Sequence, residues 1–189
     1  MTRGLQLSSF GPATRKGGGA FSCPHTVRGT AIRSESGYRT EMDESLLTIE
    51  SLRELTDADA EAIASLLVQL SASAAFDRAR TEAVIAHEAT ELLVARDSGR
   101  IVGTATLVTA PSLTGLRGHV EDVVVDEAER GRGIARLLLG HVTQLAQERG
   151  LRTLDLTSRP SRESALRLYE SVGFRRRETN VLRFSPTAD

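Results

Sequence analysis

The chain has 189 residues, about 40% of them hydrophobic, and a formal net charge of −1. This length suits one domain with at most a short appendage, and the apolar fraction is sufficient for a folded core. A single cysteine excludes a disulfide framework, and no apolar run reaches the roughly 20 residues that span a bilayer. The sequence therefore predicts a soluble, cytoplasmic protein without a membrane partner.

The near-zero charge is the sum of two unlike parts of the chain. Residues 1–42 contain six basic and two acidic side chains, seven glycines and no apolar period. We predict that 1–42 is a disordered N-terminal extension, because it cannot bury enough surface to offset its chain entropy, and that 43–189 is the folded domain. No signal-peptide apolar stretch occurs there. We favour a non-functional extension with Met42 as the natural start, and a transit peptide remains the alternative.

Apolar spacing in residues 43–189 predicts a run of strands and helices that ends in one strand–helix–strand crossover. In chain order they are a strand at 47–53, helices at 57–71 and 77–90, strands at 91–96, 101–109 and 118–125, a helix from Ile134 to Gly150, a strand at 151–157, a helix from Pro160 to about 172, and one bent or two short strands from Phe174 to Phe184. Residues 97–100 predict a hairpin turn and 111–117 a loop.

This order predicts an α+β fold. Runs of neighbouring strands favour a mostly antiparallel sheet of six to seven strands, and the crossover adds one parallel pair inside it. About four helices flank the sheet.

A glycine pair separates the Val-rich strand from the helix that follows. Gly131 and Gly133 let backbone N–H groups turn inward around an anion, and the start of the helix adds its free N–H groups. The loop is neither a Walker loop nor a dinucleotide fingerprint, because no Gly-Lys-Ser/Thr follows and position 136 is Arg. It predicts a phosphate cradle, although such a pair also occurs in plain loops.

Two motifs carry a resemblance to a known family. Arg130-x-x-Gly133-x-Ala135 after the Val-rich strand is similar to the acetyl-CoA pyrophosphate motif of the GNAT superfamily of N-acyltransferases. Ala165-x-x-Leu168-Tyr169-x-x-x-Gly173-Phe174 resembles the C-terminal motif of that family, at the expected separation. The resemblance implies that the strand before the glycine loop carries a bulge and splays from the next parallel strand. It also implies acetyl-CoA as the co-substrate, and we expect no metal.

The resemblance also implies which residues hold the cofactor. Main-chain groups of Val123 and Val125 would pair with pantetheine, and the N–H of Val124 or Val125 would bind the oxyanion. Ser161 or Arg162 stands where many members have a cofactor-contacting Asn. Six residues of the glycine loop and the start of the helix would bind the pyrophosphate through their N–H groups, and the charge of the two arginine side chains is a further option. These residues are Arg130, Gly131, Arg132, Gly133, Ile134 and Ala135.

Catalytic roles follow from the chemistry of amine attack on a thioester, which needs a base, an oxyanion donor and an acid. The resemblance implies that Tyr169 is the acid, with core packing as its alternative role. Glu121 and Asp122 are the base candidates. Glu121 comes first because strand alternation would place it on one face with Val123 and Val125. His119, two residues from Glu121, is a weaker candidate for the base and a candidate contact to the substrate.

The sequence thus predicts an N-acetyltransferase acting on a primary amine of a small molecule such as an amino acid, amino sugar, polyamine or antibiotic. Gly118 to Asp122 and Asn180 to Phe184 resemble glucosamine-6-phosphate N-acetyltransferases, which suggests a substrate-phosphate role for Arg183. Protein lysine or N-terminal acetylation, and a non-catalytic acyl-CoA sensor, are the alternatives. The acidic balance of 43–189 argues against nucleic acid as a partner, and a homodimer is left open.

Overall fold

The structure is a computed structural model that describes residues 47–186. The extension predicted at 1–42, and with it the boundary at residue 43, lies outside the described residues. Among the described residues, no helix combines the length and the hydropathy that a bilayer crossing needs.

The described residues form one mixed layer of strands with helices on both faces. The strands are β1 (Leu47–Ser51), β2 (Thr90–Asp97), β3 (Arg100–Ser112), β4 (Gly115–Val125) and β5 (Thr153–Leu156). The helices are α1 (Asp57–Leu70), α2 (Arg78–Ala86), α3 (Ile134–Glu148) and α4 (Glu163–Ser171), with a short 3-10 turn at Glu127–Glu129.

The sheet follows chain order, β1-β2-β3-β4-β5. The first three pairings are antiparallel, and β4 pairs with β5 in parallel. The α+β class, the mixed sheet and the four flanking helices are confirmed.

Two apolar cores lie on opposite faces of the sheet. Helix α1 begins behind Thr56, whose hydroxyl accepts from the Asp59 amide, and it buries Ile63 and Leu66 against one face. Helix α3 buries Leu138 and Val142 against the other face, where α4 also packs. The sheet therefore separates an α1/α2 side from an α3/α4 side.

Two sequence expectations differ from the structure near the strand ends. The loop predicted at 111–117 is a tight hairpin, because the Ser112 hydroxyl donates to the Gly115 carbonyl at 2.6 Å and Gly115 adopts a left-handed φ of 125°. Five strands are described rather than six or seven. The described part of the C-terminal segment, up to residue 186, contains no strand, and its Leu182 is 91% exposed, so this apolar alternation meets no core that would stabilise a further strand.

Candidate active site

A bulge interrupts β4 at Asp122. Its φ is 51°, a left-handed value that Asp tolerates better than most residues, and the register with β3 shifts between Thr104 and Thr106. The Thr104 hydroxyl donates to the Asp122 carbonyl at 3.1 Å, which holds the bulge against β3.

The bulge changes which β4 side chains share a face. Val120, Val123 and Val125 all pack in the core on the α3/α4 side, whereas Val124 packs on the α1/α2 side. Glu121 is opposite Thr106, and Val120 is opposite buried Leu107 of the α3/α4 core, so Glu121 belongs to the α1/α2 side. The expectation that Glu121 shares a face with Val123 and Val125 is wrong, because the extra residue of the bulge shifts the alternation by one.

Beyond the bulge, no strand within residues 47–186 pairs with one edge of β4. The parallel pairing with β5 ends at Val120 opposite Leu156, and β4 continues to Val125. The Asp126 amide donates to the Val102 carbonyl of β3 at 2.9 Å. Since alternate amides of a strand point to opposite edges, the Val125 amide points away from β3 and toward the open edge. The open edge leaves room for an extended ligand between the ends of β4 and β5.

The glycine loop lies directly after this open edge. Gly131 and Gly133 have φ values of 84° and 79°, and a Cβ placed on either would meet nothing within 4 Å. Gly133 is the N-cap of α3 and no side chain caps that helix, so the first amides of α3 have no intrahelical partner. The space beside both glycines is therefore open, and the free N–H groups at the start of α3 are of the kind that binds a diphosphate.

The arginine side chains of the loop are held by neighbouring carboxylates. Arg130 lies 3.2 Å from Glu127 of the same loop. Arg132 bonds Asp97 at 2.6 Å and also Glu129. The anion-binding capacity of the loop therefore comes from its amides in this arrangement, with the guanidinium groups directed to carboxylates.

The two acidic candidates have different surroundings. Glu121 Oε1 lies 3.2 Å from His119 Nε2, so these two side chains are brought together as expected. Asp122 lies at the bulge, where partial desolvation raises the pKa of its carboxyl above the ordinary value.

Tyr169 lies on α4, half-buried against the α3/α4 core. Burial raises the pKa of its phenol, and the nearby charge of Arg162 lowers it by a smaller amount. The phenol therefore keeps its proton at neutral pH. The Arg162 guanidinium donates to the Leu70 carbonyl at the end of α1 at 3.1 Å, while Ser161 is exposed.

A wide depression of about 1730 Å³ surrounds the uncovered edge of β5. His119 and Tyr169 both line it, together with the arginines that follow α4. The residues of the glycine loop do not line this depression, so main-chain geometry, and not the depression, indicates where a diphosphate would bind. Arg183 does not line this depression and lies in the exposed segment that follows α4.

Sequence reasoning missed the residues that hold the glycine loop. The sequence assigns Asp97 and Arg100 only to a hairpin turn, and it assigns no role to Glu129. The charges of these residues can be read in the sequence. No local sequence pattern, however, predicts that Asp97 pairs with Arg132, 35 positions away. Among residues 47–186, no three His, Cys, Asp or Glu side chains converge as a metal site requires.

The family model for the acetyltransferase (GNAT) family matches residues 50–174. This chain belongs to the GNAT family. Among curated relatives, glucosamine 6-phosphate N-acetyltransferase of Trypanosoma brucei brucei is 37% identical over 95 residues, which cover 49% of this chain and 63% of that enzyme. N-alpha-acetyltransferase RimI of Mycobacterium tuberculosis is 34% identical over 128 residues, covering 65% of this chain and 76% of RimI.

Among solved structures, a putative acetyltransferase from Agrobacterium tumefaciens superposes with a TM-score of 0.65 at 26% identity. The match covers 72% of this GNAT chain and 99% of the other. This chain spans less than two thirds of the length of the trypanosome enzyme, so activity and acceptor are argued below from the site itself.

Proposed function

We propose that this GNAT protein transfers an acetyl group from acetyl-CoA to a primary amine of a small molecule. One observation carries the proposal: the unpaired edge of β4 leads directly into the left-handed glycine loop and the uncapped start of α3. An extended pantetheine arm and a diphosphate need these two features in this order. In the proposal, main-chain groups of Val123 and Val125 hold the arm, and the N–H groups of residues 130–135 hold the diphosphate.

The acceptor nitrogen attacks the thioester carbonyl, a C–N bond forms and the C–S bond breaks. The Val125 amide, directed to the open edge, is the proposed oxyanion donor, because the Val124 amide faces β3 by the same alternation. Tyr169 donates its phenolic proton to the leaving thiolate, a role that its raised pKa supports. A carboxylate at the bulge, Glu121 or Asp122, takes one proton from the ammonium before attack. The second proton that the nitrogen loses as the amide forms returns Tyr169 to its phenol form, directly or through water.

The position of Glu121 on the α1/α2 side of the sheet is compatible with the proposed role as the base. Pantetheine between β4 and β5 presents the thioester to both sides of the sheet, and the core on the α3/α4 side is filled by Val123 and Val125. Glu121 is exposed and His119 is partly exposed, so this pair is accessible to an acceptor in the proposal. Kinetics of Glu121→Gln and Asp122→Asn, compared as matched charge removals, distinguish the two carboxylates. The variant of the true base loses the rising acid limb of the pH profile of kcat.

The test of the function is acetyl-CoA-dependent release of free CoA thiol across a panel of amino sugars, amino acids, polyamines and aminoglycosides. We expect at least one small amine to stimulate release above the hydrolysis background. The panel includes glucosamine 6-phosphate, and Arg183→Gln then tests the phosphate contact. CoA binding without amine-dependent release from any acceptor would instead support a sensor domain.

The likeness to RimI favours one second candidate, acetylation of a protein N-terminus, with lysine acetylation as its variant. Peptides with free N-terminal amines and with internal lysines therefore belong to the same panel. Release with peptides and none with small amines would select this candidate.

Homodimerisation and a cytoplasmic location stay predictions. The uncovered edge of β5 and the exposed apolar Val181, Leu182 and Phe184 support a second copy as the occupant of that edge. Light scattering after size exclusion tests the dimer. We expect a dimer mass for the wild type and a monomer mass after Leu182→Ser and Phe184→Ser together.

A further inference from the structure

The glycine loop is tied to the β2–β3 hairpin by a network of ion pairs that we call the hairpin clamp. It consists of two residues at the hairpin turn and three in or beside the loop: Asp97, Arg100, Asp126, Glu129 and Arg132. The hairpin lies at the end of the sheet where β4 ends and the glycine loop begins.

Each arginine of the clamp joins two carboxylates. Arg132 Nη1 lies 2.6 Å from Asp97 Oδ2 and also bonds Glu129. Arg100 lies 3.2 Å from Asp126 and 3.0 Å from Glu129. Glu129 therefore connects the two arginines, and the hairpin and loop are bound as a single network.

The carboxylates of the clamp are sheltered from water. The Asp97 side chain is 13% exposed and the Glu129 side chain 18% exposed. Ion pairs that are partly buried and joined in a network are screened less than isolated surface pairs. The arginines are more exposed, Arg132 at 36% and Arg100 at 56%, so the restraint on the loop comes from the joined network and not from any single pair.

The restraint acts on the part of the loop whose backbone has the greatest conformational freedom in the unfolded chain. Arg132 stands between Gly131 and Gly133, which have the least restricted backbones in the loop and both adopt left-handed φ values. Fixing such residues costs more conformational entropy than fixing others. A loop that is already held in the cradle conformation binds a diphosphate without that cost at the moment of binding.

We propose that Asp97 is a positioning residue that holds the glycine loop in its diphosphate-binding conformation through Arg132. The proposal rests on acetyl-CoA being the donor in the proposed function. Asp97 touches the loop and not the thioester, so its effect is confined to the part of the donor that contains the diphosphate.

The test compares two acetyl donors in wild type and Asp97→Asn. Acetyl-CoA contains the diphosphate, and S-acetylpantetheine lacks it. We expect Asp97→Asn to raise the KM for acetyl-CoA about tenfold with kcat unchanged within about twofold, and to leave kcat/KM for S-acetylpantetheine unchanged. In an Arg132→Gln background, Asp97→Asn should cause no further rise, because the two residues act as one unit.

Asp57→Asn serves as the matched control, since it removes an aspartate that pairs with Arg78 away from the loop. Should Asp97→Asn fold poorly, Arg100→Gln tests the same clamp from its other arginine. Equal losses with both donors would overturn the proposal in favour of a general structural role. Tighter binding of acetyl-CoA would also overturn it, because Asp97 would then compete with the diphosphate for Arg132. If the wild type binds CoA and Asp97→Asn changes the kinetics with neither donor, the positioning role of Asp97 is overturned and the proposed function stands. If the wild type binds no CoA, both proposals are overturned.

Discussion

The ring of Tyr169 meets the ring of Phe174 edge to face, with centroids 6.2 Å apart and planes at 71°. The Phe174 amide also donates to the Tyr169 carbonyl at 3.0 Å across the turn that ends α4. Ring packing therefore restricts the orientation of the phenol, and the main-chain hydrogen bond holds Phe174 in place beside it. Such fixed orientation is what a proton donor needs at the moment when a thiolate leaves.

Tyr169→Phe should lower kcat about 100-fold and change the KM for acetyl-CoA by less than about threefold. The substitution removes only the hydroxyl and keeps the ring that packs on Phe174. Steady-state kinetics with a responsive amine provide the measurement, and Phe174→Leu is the control for packing alone. Unchanged kcat in Tyr169→Phe would assign this residue to the core.

Gly133→Ala should weaken CoA binding at least tenfold. Its φ of 79° costs an alanine about 1–2 kcal/mol, and the new Cβ would project into the open space of the cradle. Titration calorimetry with CoA checks this.

Gly140→Ala is the control, because Gly140 lies inside α3 and also has open space around its Cβ position. Alanine there should raise the free energy of unfolding by up to about 1 kcal/mol and leave CoA affinity unchanged. Weaker CoA binding in Gly140→Ala, or wild-type affinity in Gly133→Ala, would contradict the assignment of the cradle.

The sequence predicted the parts of the site that depend on local geometry. Gly131 and Gly133 predicted a loop whose N–H groups turn inward before a helix, and both residues adopt left-handed φ values. The apolar spacing after them predicted helix α3 and the parallel strand that follows it. The family resemblance implied a bulge in this strand but did not place it at Asp122, because Asp in a strand carries no signal for a positive φ. The alternation used for Glu121 ignored the extra residue, which places Glu121 on the opposite side of the sheet from Val123 and Val125.

The long-range contacts of the site were also beyond sequence reasoning. The bond from Arg162 to the Leu70 carbonyl joins residues 92 positions apart, and the Asp97–Arg132 pair joins residues 35 apart. Such pairs depend on how the helices and hairpins meet in space, which apolar periodicity does not encode.

Asp59→Asn should lower the free energy of unfolding by about 2 kcal/mol at pH 7. Asp59 is 5% exposed, and its hydrogen bond to Arg96 at 2.6 Å holds the pKa of its carboxyl below the usual range. A lowered pKa in the folded state stabilises the fold above the unfolded-state pKa, and this contribution disappears as the pH falls through the folded-state pKa. Urea titrations at pH 7 and near pH 3 should therefore show a difference that shrinks in acid. A difference that is constant with pH would mean that the charge is irrelevant.

Asp122→Asn should have the opposite effect on stability at neutral pH. Partial desolvation raises the pKa of Asp122, so the ionised carboxylate is less favourable in the folded than in the unfolded chain. This penalty is absent below the unfolded-state pKa and grows as the pH rises through the folded-state pKa. Asparagine carries no charge, and it tolerates the φ of 51° as aspartate does. We therefore expect Asp122→Asn to be more stable than the wild type at pH 7 and of similar stability near pH 3. The midpoint of urea unfolding at the two pH values measures this, and a less stable variant at pH 7 would show that the Asp122 carboxylate is held by a favourable contact.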